Sequence, residues 1–171
     1  MADRLGAAGF VALAPDLYRG ELAAHDEMDK AGHLMKNLPP DRAARDMSGA
    51  VDYLSNHPAV TGGGVGVVGF CMGGMLSFVI AANRPDKIKA VVPFYGFPQG
   101  DMQPDWSKLT ASVSGHMAEH DDFFPPAAAR ALETNPAPPI AARPRSAMPS
   151  GRLLATRRRS PRRWLPAAKG K

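Results

Sequence analysis

Residues 65–74 read VGVVGFCMGG, and within them stands Cys71, the only cysteine among 171 residues. Two motif readings compete for this stretch. Gly64 to Gly69 matches G-x-G-x-x-G, but that fingerprint needs its glycines in the turn after a strand and an acidic residue about twenty positions on. Here the glycines lie inside the apolar run itself, and the region twenty positions on reads Ile88-Lys89-Ala90-Val91. The second reading takes Gly69-Phe70-Cys71-Met72-Gly73 as a G-x-C-x-G form of the nucleophile elbow. A strand that reverses into a helix within one residue strains that residue's backbone. It also brings together the positions two before and two after, so both must be small; Gly69 and Gly73 are. The sulfur then stands at a helix N-terminus, where the dipole and free N–H groups stabilise negative charge. The N–H of Met72 points where an oxyanion would form. The competing structural reading is a buried cysteine that packs as a small hydrophobe.

The flanking sequence favours the elbow. Val65 to Val68 is apolar on both faces, as a central parallel strand is, and Met75, Leu76, Val79 and Ile80 mark a helix ending before Arg84-Pro85. Outward from there, Phe10 to Ala14 and Ile88 to Tyr95 read as buried strands, and Ala111 to Met117 as a weaker one. Helices are expected within 21–40, broken at Pro39-Pro40, and from a cap at Asp41 through Ala44, Met47, Ala50, Val51 and Leu54 to Asn56. A last helix is expected from about Pro125 to Leu132. Strands alternating with helices predict an α/β fold with a mainly parallel sheet flanked by helices. Ligands then belong at the carboxyl ends of the strands, where Asp16, Cys71, Tyr95 and Asp121 all fall.

Composition divides the chain. It is 44% hydrophobic and 22% charged, ordinary for a globular domain. Residues 135–171 contain ten Lys/Arg and no Asp/Glu, which leaves eleven basic against sixteen acidic groups in residues 1–134. The net charge of +5 therefore belongs to the tail, and the domain is mildly acidic. The tail lacks apolar periodicity and reads as disordered. Its Arg157-Arg158-Arg159 and Arg162-Arg163 clusters beside Trp164 offer an alternative role in binding nucleic acid or an acidic partner. A tail under no selection is the favoured reading, so no nucleic-acid partner is expected. A single cysteine, no signal-like N-terminus and no long apolar run lead us to expect a cytoplasmic protein without a membrane span.

Four stretches together, AGFVALAPDLYRG (8–20), VGVVGFCMGG, VPFYG (92–96) and GHMAEHDDFFPP (115–126), resemble the dienelactone hydrolases of the α/β-hydrolase superfamily over residues 1–134. That resemblance implies hydrolysis of small esters or lactones by a Cys-Asp-His triad, with no metal and no organic cofactor. It places the nucleophile on Cys71, the oxyanion donor on the Met72 N–H and the triad acid on Asp121 rather than its neighbour Asp122. Tyr95 falls where it would line the pocket, although a strand-end tyrosine also serves packing. Lys30 lies near the family's cation for a substrate carboxylate; a solvated helix lysine is the competing reading. His116 and His120, followed by Asp121 and Asp122, have ligand-like spacing for a metal, but Gly115 argues against the helix this would need.

Two family features find no counterpart. Histidines stand at 25, 33, 57, 116 and 120 and none follows Asp121, although the chain order of such triads is nucleophile, acid, histidine. The family's first strands, with the loop that supplies a second oxyanion N–H, would precede Ala2. We therefore expect an incomplete, impaired member, with residues 135–171 read from an alternative frame of a GC-rich gene. Resequencing the locus and finding an uninterrupted frame for this tail would sink the frame-shift idea.

Overall fold

The structure, a computed structural model, describes residues 1–133. The basic tail, and with it both readings of residues 135–171, lies outside the described residues. The elements in order are α1 (Ala2–Ala7), α2 (Met28–Lys36), α3 (Pro40–Asn56), β1 (Val65–Phe70), α4 (Met72–Asn83), β2 (Ile88–Phe94), β3 (Ser112–Val113) and α5 (Pro126–Glu133). The sheet is wholly parallel, in the order β1-β2-β3, with Val68 beside Val92, Phe70 beside Phe94 and Ala90 beside Ser112.

One face of this sheet is the core. Val65, Ile88, Val91 and Val113 point into it and meet Leu76, Phe78, Ile80 and Ala81 of α4, with Ala43, Met47 and Val51 of α3 behind. Leu132 and Ala128 of α5 close the same side near Phe97 and Phe124. Helix α4 is apolar nearly all round because it lies between the strands and α3, and its buried Ser77 hydroxyl is satisfied by donating to the Gly74 carbonyl, 2.6 Å away. The opposite face, with Gly66, Val68 and Phe70 on β1, is exposed.

Four expectations are corrected. Phe10 to Ala14 forms no strand, and Phe10 and Leu13 are exposed. A strand exists only where its backbone groups find a ladder partner, and among the described residues none runs beside this segment. For the same reason β1 is an edge strand among those described, not the central strand its two-sided apolar run predicts. Helix α3 starts two residues early: Pro39 is its cap, Pro40 occupies the first turn, where a missing N–H costs nothing, and Asp41 follows as the first-turn acid. Helix α2 is shorter than the 21–40 stretch. Glu27 caps it, and its carboxylate turns back to accept the Ala24 N–H at 2.7 Å.

Arg84 ties the helical layer to the sheet. Its guanidinium donates to Asp52 at 2.7 Å, to Asp86 at 3.1 Å and to the Ser48 carbonyl at 3.3 Å, joining α3, the end of α4 and the approach to β2. The Arg84 side chain is largely covered, whereas both carboxylates are more than half exposed, so solvent screens part of the attraction. Arg84→Ala is expected to cost about 1–2 kcal/mol in urea unfolding, with Arg84→Lys recovering only part because an ammonium cannot fork. Equal stability of the alanine variant and the parent would refute this.

Candidate active site

Cys71 is the single residue between β1 and α4. Its backbone sits at φ 53° and ψ −119°, a conformation that a side chain with a Cβ rarely adopts. The surroundings hold it there. The Cys71 N–H donates to the Phe94 carbonyl at 3.0 Å, and the Cys71 carbonyl accepts from the Met75 N–H at 3.1 Å. The side chain is exposed. Met72 begins α4, so its N–H lies among those with no partner inside the helix.

The glycines around this turn are not equivalent. A Cβ on Gly69 would overlap the Gly73 carbonyl and come within 2.7 Å of the Gly74 nitrogen. A Cβ on Gly73 would meet nothing within 4 Å. The collision expected at both positions is therefore one-sided: it is the backbone at 73, not a side chain there, that forbids bulk at 69. Gly74 is confined as well: a Cβ there would lie 2.8 Å from the Gly96 oxygen and 3.0 Å from the Phe94 oxygen.

The turn after β2 abuts this one. Tyr95 has φ 37°, and its N–H donates to the His116 carbonyl at 2.7 Å. Its ring is exposed and lies 6.2 Å from Phe70. Phe70, Phe94 and His116 form a column of stacked rings, with centroids 4.9 Å and 4.5 Å apart in sequence. Burial against Phe94 pushes the His116 imidazole below its ordinary value. The native state then favours the neutral ring, and the unfolded chain takes up the proton first as pH falls. Stability should accordingly decline as pH drops through about 6.5 toward the native value. His116→Phe keeps the stack and removes the proton site, so its unfolding curves should depend less on pH between about 7 and 5. An unchanged pH slope would exclude His116 as the source.

Sequence reasoning missed Tyr18. Its hydroxyl reaches the Met72 sulfur at 3.9 Å, placing the 15–20 loop over the start of α4, and partial burial raises its phenol above the ordinary value. Asp16, expected past a strand end, instead shapes this loop: its carboxylate accepts the Tyr18 and Gly20 N–H groups at 2.9 Å and 2.6 Å. Arg19, at φ 56°, is pinned to Asp46 of α3 at 3.1 Å. The D-x-Y-x-G spacing of an aspartate-anchored turn was the available signal.

Asp121 stands in the loop before α5, half-buried, with Oδ1 accepting the Phe123 and Phe124 N–H groups, both at 2.9 Å. Asp122 is exposed. Gln99 fastens this loop to the segment following Gly96 by donating to the Phe123 carbonyl at 2.9 Å. Lys30 is not brought to the Cys71 turn by any hydrogen bond or ion pair; it pairs with Glu27 at 3.7 Å. Residues 115–120 are not helical, and among the described residues no group of three His, Cys, Asp or Glu side chains could hold a metal ion.

Residues 1–137 match the family model described as the dienelactone hydrolase family. The chain belongs to that family. It is 39% identical over 126 residues to the protein usf of Aquifex pyrophilus, covering 72% of this chain and 53% of that protein. It is 31% identical over 138 residues to the carboxymethylenebutenolidase of a Pseudomonas sp., covering 77% and 56%. Among solved structures, a dienelactone hydrolase-like promiscuous phosphotriesterase from metagenomic libraries superposes with a TM-score of 0.60 at 25% identity, over 77% of this chain and 54% of that one. This dienelactone hydrolase-family chain thus spans about half the length of the curated relatives it matches. Among the described residues no helix is long and apolar enough to cross a membrane.

Proposed function

We propose that residues 1–134 form a domain carrying the nucleophile and acid of a hydrolase for small esters and lactones, of the carboxymethylenebutenolidase type, and that the basic tail is an appendage. The observation that carries this reading is the positive φ of Cys71 at a strand-to-helix turn with its side chain exposed. Backbone strain of this kind costs about 1–3 kcal/mol and persists at sites whose geometry it serves.

The chemistry divides into two halves. In the first, the Cys71 thiolate attacks the carbonyl carbon, an S–C bond forms, and the developing oxyanion accepts the Met72 N–H. The C–O bond then breaks and the leaving alkoxide or enolate departs, leaving a thioester. In the second, water must lose a proton to attack that thioester and return the thiolate and an acid. A histidine does this in a triad, oriented by the acid. Asp121 is the candidate acid: Oδ1 is committed to two backbone N–H groups, and no hydrogen bond among the described residues engages Oδ2. Tyr95, exposed beside the Cys71 turn, is taken to line the site, while Lys30 belongs to it only if a substrate carboxylate draws it from Glu27. Thiolate chemistry of this type calls for no metal and no organic cofactor. Because no histidine follows Asp121 in this sequence, we propose that the second half is impaired.

The test is mass spectrometry of the chain after incubation with p-nitrophenyl acetate or a small enol lactone. Acylation at Cys71, absent from Cys71→Ala, supports the reading; acylation elsewhere, or none, overturns it.

A further inference from the structure

We infer that Gly96 is a positioning residue for the Cys71 nucleophile, an inference that rests on the reading of Cys71 just proposed. Two turns with strained backbones, one at Cys71 and one at Tyr95, lie against each other through Gly96. A Cβ on Gly96 would overlap the Cys71 carbonyl oxygen, lie 2.7 Å from its carbon and come within 3.1 Å of the Cys71 Cα. This is a backbone-on-backbone contact, which no rotamer change can relieve. Gly96 has no positive φ, so its lack of a side chain is demanded by space alone.

The contact bears on the chemistry because of which atom it fixes. The Cys71 carbonyl and the Met72 N–H belong to one planar peptide unit. Whatever turns the carbonyl turns the N–H proposed to meet the oxyanion, and so alters the field of N–H groups at the helix start beside the thiol. The same carbonyl accepts the Met75 N–H, and the N–H of Cys71 is held by Phe94. Gly96 is the remaining wall. The wall is itself held: Tyr95 hydrogen-bonds to His116, Phe97 is buried in the core, and the Gly96 oxygen faces Gly74. Methylation at 96 therefore pushes the catalytic peptide unit rather than the turn that carries the methyl.

The experiment uses Gly96→Ala in the full chain, with Gly63→Ala as a control because a Cβ there meets nothing within 4 Å. The rate of alkylation of Cys71 by iodoacetamide is measured across pH beside N-acetylcysteine. The parent should react faster than the model thiol, and Gly96→Ala should fall by about tenfold or more, since such sites lose rate steeply with sub-ångström misplacement. The control should match the parent. A parent no faster than N-acetylcysteine overturns the nucleophile reading and this inference with it. A fast parent matched by a folded Gly96→Ala overturns the inference alone.

A thermodynamic cycle covers the case in which Gly96→Ala fails to fold. With glycine at position 71 the backbone there is free to swing its carbonyl aside. The melting-temperature loss from Gly96→Ala should therefore be clearly smaller on a Cys71→Gly background than in the parent. Equal losses, or failure of both Gly96→Ala proteins to fold, would show that the Cys71 carbonyl is not the contact that matters.

Discussion

Gly69→Ala is expected to destabilise the domain by about 3 kcal/mol or more, while Gly73→Ala, four residues away in the same motif, is expected to be neutral or slightly stabilising. The difference comes from which side of the turn lacks room. Gly69 is buried on β1, and its missing Cβ faces the Gly73 carbonyl and the Gly74 nitrogen. These are backbone groups of the first turn of α4, itself packed against β1, β2 and α3. Relief would require α4 to back away from β1, opening the core around Leu76 and Ile80. Gly73 has open space and sits in the first turn of α4, where alanine restricts the unfolded chain and gains up to about 1 kcal/mol over glycine. Chemical unfolding of the two variants beside the parent gives the comparison. Equal costs at both positions would contradict this account of the turn.

The glycine pair also shows where sequence reasoning reached its limit. That a small residue stands on each side of Cys71 is legible in VGVVGFCMGG, and the structure places strand, turn and helix where that stretch predicts. The division of labour between the glycines is not legible, because it depends on which backbone atom each vacant Cβ would face. Gly96 was invisible for the same reason: a contact between two backbones leaves no pattern of side chains. Phe10 to Ala14 failed differently. Its apolar run is real, but strand formation is a property of a pair, and among the described residues it has no neighbour. The helices from α3 onward were read well because their signals are local: Met47 and Val51 face the core as the helical period requires, and α4 is an apolar run nearly all round. Asp121 is preferred to its neighbour Asp122 through the family resemblance alone, and the two N–H groups that hold its carboxylate emerge only from the folded loop. Tyr18 reaches Met72 across a long separation in the chain, and no local rule connects them.

With p-nitrophenyl acetate, the parent chain is expected to release p-nitrophenolate in a stoichiometric burst followed by a slow phase, and Cys71→Ala to show no burst. The two halves of the reaction make different demands. A leaving group as stable as p-nitrophenolate departs without a proton, so acylation needs only the thiolate, the turn that presents it and an oxyanion donor. In the proposed mechanism those are Cys71, its strained backbone and the Met72 N–H. Deacylation needs a base to take a proton from water, and positioned general bases contribute about 10²–10⁴-fold. Since no histidine follows Asp121, the thioester should persist and be recoverable on Cys71 by mass spectrometry. Esters with poor leaving groups, such as simple alkyl esters, should not acylate measurably, because their alkoxide needs a proton and, on the proposed reading, no histidine after Asp121 delivers it. Burst amplitude, the mass of the trapped species and the leaving-group dependence are three separate readings. A burst that survives Cys71→Ala would remove Cys71 from the chemistry. Sustained turnover without accumulation of a thioester would instead show that deacylation has its base, and would overturn the proposal that this half is impaired.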